Sequence, residues 1–397
     1  MIVVVGAGAA GLMAAIAAAE TRRTPVLVLE RTADGGRKIL ISGGGRCNVL
    51  PARLATDRFV TDSAAHLMRA MLRSWPLVQQ REFFEGTLGI ALALEPETGK
   101  LFPASNRARD VRDGLVGYAR ELGVAFRFDT TLVGLHPAAE GWVAHTSRGP
   151  IDAARIILAT GGLSVPATGS DGVGLQLAES LGHRINSTYP ALTPLVSTPA
   201  VHASLSGVSL AVRLRARTGK KIVETSGGFL FTHRGYSGPS VLDISHVATR
   251  RRDAIVRVQW AETSPDEWES RFRGNAALVS NVLSTHLPQR LAFRLMDESG
   301  VPLERRARDL RRRERTALID RLTSYVLPWT GDEGFKKAEV TGGGVALDEV
   351  DLRTLESRRH RGLFVCGEML DAFGPIGGHN FAWAWATGRR AGRGAVG

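Results

Sequence analysis

Cysteine is almost absent: Cys47 and Cys366 are the two in 397 residues. They lie far apart and in no paired spacing, which argues against a disulfide scaffold and against a cysteine-held metal, and suits a reducing cytoplasm. The ten histidines fall into no HxxxH or cysteine-paired arrangement, so no metal site is expected. Long uncharged stretches are scarce as well. One, residues 2–19, opens the chain, but no basic segment precedes it and Gly6, Gly8 and Gly11 interrupt it. It is therefore read neither as a signal peptide nor as a membrane span, and a soluble protein without a membrane partner is expected. Internal repeats and low-complexity segments are missing. What is left, at 44% hydrophobic content, is a globular chain long enough for two or three domains.

Negative charge is in deficit, with 39 Asp and Glu against 51 Lys and Arg, a formal net charge of +12. Such a chain attracts polyanions, nucleic acid included, at long range, although a surplus of arginine over lysine also follows from composition alone. The densest run is residues 304–315, with Arg305, Arg306, Arg308, Arg311, Arg312, Arg313 and Arg315. Leu303, Ala307, Leu310, Leu318 and Leu322 recur at helical spacing, and Glu304/Arg308 and Asp309/Arg313 are i,i+4 pairs. The spacing predicts one amphipathic helix whose basic face is solvated or touches RNA.

What is present in abundance is glycine in ordered places. Residues 2–11, IVVVGAGAAG, run from a buried-type strand into GxGxxG, and Glu30 closes a second apolar strand, residues 26–29. Gly6 permits the tight turn, Gly8 lets the backbone approach a pyrophosphate, and Gly11 lets the helix pack on the strand. The phosphates then meet the helix N-terminus, where unpaired N–H groups and the helix dipole favour anions. Glu30 stands near the offset at which a carboxylate takes ribose hydroxyls. It would repel a 2′-phosphate, so the unit suits FAD or NAD over NADP.

Two further clusters carry donors. Residues 35–48, GGRKILISGGGRCN, place basic and polar side chains around three consecutive glycines, a loop able to turn N–H groups toward an anion, with Arg46 and Asn48 as side-chain donors. Residues 374–386, GPIGGHNFAWAWA, set glycines before an alanine- and tryptophan-rich helix whose N-terminus can face a carbonyl that gains negative charge on reduction. A glycine pair, Gly161 and Gly162, follows the apolar strand at 155–158 and marks another close backbone approach.

The character of the chain changes near Pro190. Residues 195–260 alternate as strands, Ser264-Pro265-Asp266-Glu267 reads as a helix start, and glycine-rich strand character returns near Val340. The predicted organisation is a nucleotide-binding domain in two parts, 1–189 and 336–397, interrupted by a β-rich insert, 190–263, and a helical part, 264–335.

These motifs, with LFTHRGYSGPSVLDIS at 230–245, AEVTGGGVALDEVD at 338–351 and LFVCGEMLD at 363–371, resemble the BaiN/RdsA-like family of FAD-dependent oxidoreductases, also called aminoacetone-oxidase-like flavoproteins. The resemblance covers nearly the whole chain. It implies an α/β fold, a glutathione-reductase-like FAD domain built from both chain ends with an inserted β-rich and helical domain. It assigns Gly6, Gly8, Ala9, Gly11 and Glu30 to the ADP half, Arg46, Cys47 and Asn48 to the flavin side, Glu368 and Asp371 to the ribityl and pyrophosphate region, and Gly377, Gly378, Asn380 and Phe381 to the pyrimidine end. Arg31, Lys38, Gly45, Gly161 and Gly367 are expected among the cofactor-binding residues as well. Val133 would meet the adenine through its backbone. Departures from the family pattern at Val49-Leu50 and His379 bear on the substrate.

The family's reactions, reduction of a C=C bond in a steroid-like acid or in a uracil of ribosomal RNA and oxidation of amines, imply three alternatives here. They are an NAD(P)H-driven C=C reductase, a small-amine oxidase using oxygen, and an RNA-binding flavoprotein with structural FAD. NADH or NADPH would visit the flavin without a second Rossmann domain, and the substrate would be a small molecule or RNA, the latter aided by the basic surface. For proton donation the expected groups are His379, whose motif borders the ring, and Cys47. His233 and Tyr236 of the insert motif are expected to line the same pocket or to form a turn.

Overall fold

The computed structural model describes residues 1–218 and 221–397. Four short apolar segments and one late one form a parallel sheet. They are β1 (Ile2–Val5), β2 (Val26–Leu29), β3 (Ala125–Arg127), β4 (Arg155–Leu158) and β5 (Leu363–Val365), in spatial order β5-β4-β1-β2-β3. Ile2 is in register with Val26 on one side and Arg155 on the other, and Ile156 with Leu363. β1, β2 and β5 are buried throughout, as a parallel sheet covered on both faces demands. Helix α1 (Ala9–Ala19) is rich in alanine and buried almost all round, because α2 (His379–Gly394) lies against it. That approach needs small residues: a β-carbon at Gly388 or Gly392 would stand 2.3 and 2.2 Å from Ala10 O and Ala14 O.

The chain divides into two compact units, one of Met1–Pro190 with Glu339–Gly397 and one of Ala191–Ala338. The first also holds an antiparallel hairpin sheet, Leu132–Ala138, Gly141–Thr146 and Gly149–Ala153, and a small sheet formed by Leu50–Pro51, Lys100–Pro103 and Leu92–Glu95.

The second unit is a seven-stranded antiparallel sheet centred on Ser209–Thr218 and Lys221–Phe231, with helices packed on one face. Its core is aromatic and aliphatic, including Phe229, Phe231, Trp260, Trp268 and Leu322. Ser264 starts a helix as its sequence predicts. Its hydroxyl accepts from Glu267 N, and the Glu267 carboxylate accepts from Ser264 N.

The arginine-rich run departs from the prediction. The helix begins at Arg312 (Arg312–Ser324), and residues 304–311 are irregular apart from one 3₁₀ turn, Ala307–Asp309. The reason is a competing use of the backbone. Val279 N donates to Arg305 O, Ala307 N to Ala277 O and Arg308 N to Asn275 O, which ties the run to residues 275–279. The predicted pairs also change: Glu314 holds Arg305 at 3.1 Å and accepts from Arg311 N. Leu303 is 52% exposed, outside the apolar stripe assigned to it. No helix among the described residues is long and apolar enough to cross a membrane.

Candidate functional site

The first unit contains a cavity of about 440 Å³ whose wall is drawn from the GxGxxG turn, the triple-glycine loop, Gly161 and the Gly377–Gly378 pair. One end is the strand, turn and helix of residues 2–11. Gly6 (φ 103°) turns the chain where any side chain would be strained, and a β-carbon at Gly11 would lie 1.8 Å from Gly6 O. Gly8 is different, because nothing lies within 4 Å of where its β-carbon would be. The space over Gly8 is open, and Gly8 caps α1 without a side-chain hydrogen bond, so the first N–H groups of the helix are available to an anion.

Glu30, 8% exposed at the end of β2, bridges the same corner: Ala7 N donates to its Oε2 at 2.8 Å, and Thr32 N and Oγ1 donate to its Oε1. Gly6, Gly8, Ala9, Glu30 and Arg31 all line the cavity, with Arg31 ion-paired to Asp171. Beside them stand Thr130, Thr131 and Leu132, which the sequence did not single out. The hairpin ladder shifts register between Leu132 and Gly134, leaving Val133 as the extra residue, its side chain exposed and off the wall. A bulge of this kind frees peptide groups from strand pairing.

The middle of the cavity holds one ion pair. Lys38 Nζ lies 2.7 Å from Glu368 Oε2 and donates to Ser164 Oγ at 2.6 Å, while Thr341 N donates to Glu368 Oε1 at 2.9 Å. Burial alone would raise the Glu368 carboxyl, but the Lys38 ammonium and the donors from Ser164 and Thr341 outweigh it and hold it below the ordinary carboxylate range. Gly161 lies on the wall nearby.

At the far end are Asn48, Gly377, Gly378, Asn380 and Phe381, joined by Lys100 and by Gly43 and Gly44, whose φ angles of 56° and 68° bend the triple-glycine loop along the wall. Gly378 caps α2 without a side-chain hydrogen bond. The Asn48 amide clasps this corner, its oxygen accepting from Gly378 N at 3.0 Å and its nitrogen donating to Leu50 O. Asn380 fixes the loop before the helix by accepting from Gly374 N and donating to Gly374 O.

Other expected residues stand away from the wall. Gly11 packs under the turn and Gly45 is exposed. Arg46 pairs with Glu95 at 3.1 Å and covers the Phe102 ring at 4.0 Å. Gly367 accepts from Trp383 Nε1 and donates to Thr387 Oγ1. Asp371 Oδ2 gathers donors from Thr61, Asp62, Ser63 and Asn186, an anchor for the turn at 61–63.

Neither residue expected to give a proton reaches the cavity. Cys47 is fully buried, and burial pushes its thiol up to about 12. His379 is 8% exposed, and burial lowers its imidazole to about 4. Ala55 N donates to its Nε2 at 3.2 Å, which leaves Nδ1–H to donate to Ile376 O. His379 is thus a neutral ring pinning two loops. Tyr236 is fully buried in the second unit, its hydroxyl 2.9 Å from His202 Nδ1, and His233 stands in the loop between its flanking strands.

The wall therefore offers two uncapped helix N-termini at its ends, a carboxylate at one of them and a cation–carboxylate pair between. A dinucleotide with a flavin at one end fits that donor set, and the open volume over Gly8 is where a pyrophosphate needs room.

A family model described as the HI0933-like protein Rossmann domain matches residues 1–394. The 3-dehydro-bile acid delta(4,6)-reductase of Clostridium scindens is 32% identical over 99% of this chain and 98% of its own, and the ribosomal RNA dihydrouridine synthase of Escherichia coli is 31% identical over 97% and 95%. Among solved structures, the apo Sdh1 complex of Mycobacterium smegmatis aligns with all of this chain and 67% of its own at a TM-score of 0.51 and 17% identity, a likeness of fold alone.

Proposed function

The chain belongs to the HI0933-like family, a family of FAD-dependent oxidoreductases, and on that premise we propose that it reduces an activated C=C bond with electrons drawn from NADH or NADPH. The observation that carries this reading is the single wall on which the GxGxxG turn, Glu30, the Lys38–Glu368 pair and the Gly377–Gly378 helix start meet. The two named relatives support the bond type. One is a delta(4,6)-reductase, and the other makes dihydrouridine, which is uridine with its ring C=C bond saturated.

FAD, when bound, supplies the store for the hydride. The residues of this chain do the rest. Glu30 would accept the ribose hydroxyls, the start of α1 would hold the pyrophosphate, and the Lys38–Glu368 pair would fix the ribityl chain. The start of α2, with its dipole and Lys100 beside it, would favour negative charge at the pyrimidine end. Val133 would read the adenine edge through its backbone, at the register shift of the hairpin ladder. Of the two substrate types, a base within RNA fits this chain better, because the second unit carries 24 Lys and Arg against 15 Asp and Glu, a net +9. The two buried free thiols suit a cytoplasmic setting.

Anaerobic spectroscopy of the flavin-loaded protein tests the reading. Bleaching of the flavin band by NADH or NADPH, followed by its return on adding unmodified ribosomal RNA, is the expected result. Bleaching by a small amine but by neither nicotinamide would replace it with an amine oxidase.

A further inference from the structure

The sheet of the second unit has one face packed on the core and one face bare. Along Ser209–Thr218 the residues alternate, with Val212, Leu214 and Ala216 buried and Arg213, Arg215 and Arg217 exposed. Neighbouring strands continue the exposed face: Arg213 pairs across to Ser226 and Gln259, Arg215 to Glu224 and Arg257, and Arg217 to Ile222 and Ile255. Arg257 in turn stands opposite Val326. Among the described residues of the three adjacent strands Ile255–Gln259, Ser209–Thr218 and Lys221–Phe231, Glu224 is the one acid on this face.

Two features separate this face from an ordinary solvated one. Arg215 and Arg257 are directly opposed, an arrangement of like charges that weakens strand pairing, and the acid on the face, Glu224, pairs with Arg215 at 2.8 Å while Arg257 donates to Ser324 O, so the face keeps a surplus of cations after its own pairs are made. A sheet face kept soluble by charge alone does so with mixed signs, whereas this one holds four arginines to one carboxylate. The arginines of the central strand step along it by about 6.7 Å, alternate residues of an extended chain, and therefore present a row of planar donors to a repeating anion.

We infer that this bare face, centred on Arg213, Arg215, Arg217 and Arg257, is the docking surface for the phosphate backbone of an RNA. It rests on the reading of the substrate as a base within RNA and adds the place where the polymer is held. Ile222 and Ile255, 61% and 49% exposed, flank Arg217 and give the strand an apolar edge to lie against.

The test compares two triple variants of the full-length, flavin-loaded protein. One, Arg213→Thr with Arg215→Thr and Arg217→Thr, strips the face while keeping strand-forming residues. The other, Arg308→Gln with Arg312→Gln and Arg313→Gln, removes the same charge from the arginine-rich run of the same unit. Fluorescence anisotropy with a labelled single-stranded RNA across a series of KCl concentrations reads both. The expected result is at least a tenfold loss of affinity for the face variant, with the salt slope reduced by about two to three, and less than a threefold loss for the other. Equal losses would reduce the effect to net charge and overturn the inference. So would equally tight binding of duplex DNA or of anionic vesicles, or wild-type protein that fails to bind the RNA at low salt. Melting temperature and flavin content verify folding. Because binding is read without turnover, failure here leaves the flavin reduction by NAD(P)H standing, and the reverse outcome leaves the face standing.

Discussion

The two units solve different electrostatic problems. The first, Met1–Pro190 with Glu339–Gly397, is close to neutral, with 27 Lys and Arg against 24 Asp and Glu, and it concentrates glycine and alanine where backbone must approach a ligand. The second carries three-quarters of the chain's net charge and packs an aromatic core under a bare arginine face. Net charge read over the whole chain hides this division. A nucleotide cofactor is held by directed N–H groups at helix starts, which need no excess of cations, whereas a polymer of phosphates is held by many cations, which need no cavity.

The largest expected effect separates the two tasks. Gly8 has ordinary backbone angles (φ −77°, ψ −173°) and room for a side chain, so Gly8→Asp should fold yet place a carboxylate where the pyrophosphate belongs. FAD affinity should fall more than 100-fold, about 3 kcal/mol, in a fluorescence titration of apoprotein. RNA affinity, if the division holds, should stay within twofold; a parallel loss of both would show that the units do not work separately.

Acid should soften the units in different pH windows. In the second, burial raises the Glu298 carboxyl, but hydrogen bonds from His202, Arg294 and Tyr325 outweigh it and hold it at about 2, against 4.5 ordinarily. Its contribution is therefore complete above pH 4.5 and drains as the pH falls toward 2. In the first, His379 is held at about 4 against 6.5, so the unfolded chain takes a proton that the native one refuses, and stability is lost as the pH falls from 6.5 to 4. Each window spans roughly 3 kcal/mol. Hydrogen exchange resolved by peptide should show the first unit opening at the higher pH, and Glu298→Gln, which strands Arg294 and His202, should cost the second unit about 2–3 kcal/mol at neutral pH.

How far the sequence speaks depends on how local the cause is. The β1 turn, Glu30 and the glycines before α2 were legible because their spacing is itself the requirement, and the Ser264 cap because both partners lie three residues apart. For His379 the motif was legible but its surroundings were not, since burial lowers the imidazole and Ala55 N, 324 positions away, donates to its Nε2. Lys100 gave no signal beyond an ordinary strand residue, since only the tertiary fold brings it to the cavity wall, whereas Val133 was named by the family resemblance and not by any spacing, and its side chain is exposed and off the wall. The arginine-rich run failed for a related reason: helical spacing was present, but the backbone of residues 275–279 claimed the peptide groups first.

That contrast sharpens what His379 should do. His379→Gln keeps an acceptor for Ala55 N and removes the imidazole, so turnover at pH 7 should remain within fivefold and the destabilisation between pH 6.5 and 4 should flatten. A 100-fold or larger fall in kcat with unchanged flavin content would instead restore the imidazole as the proton donor.

The smallest effect tests whether the second unit is stabilised by its own local devices. Ser264→Ala removes the hydroxyl that accepts from Glu267 N and leaves the Glu267 carboxylate bound to Ser264 N alone, half of a reciprocal pair. The cost should be about 1 kcal/mol, seen as faster exchange of amides around Pro265–Phe272. FAD affinity and exchange in the first unit should not move, because the cap touches neither the cavity nor its wall. If exchange rose in both units together, the division would be one of charge alone and not of stability.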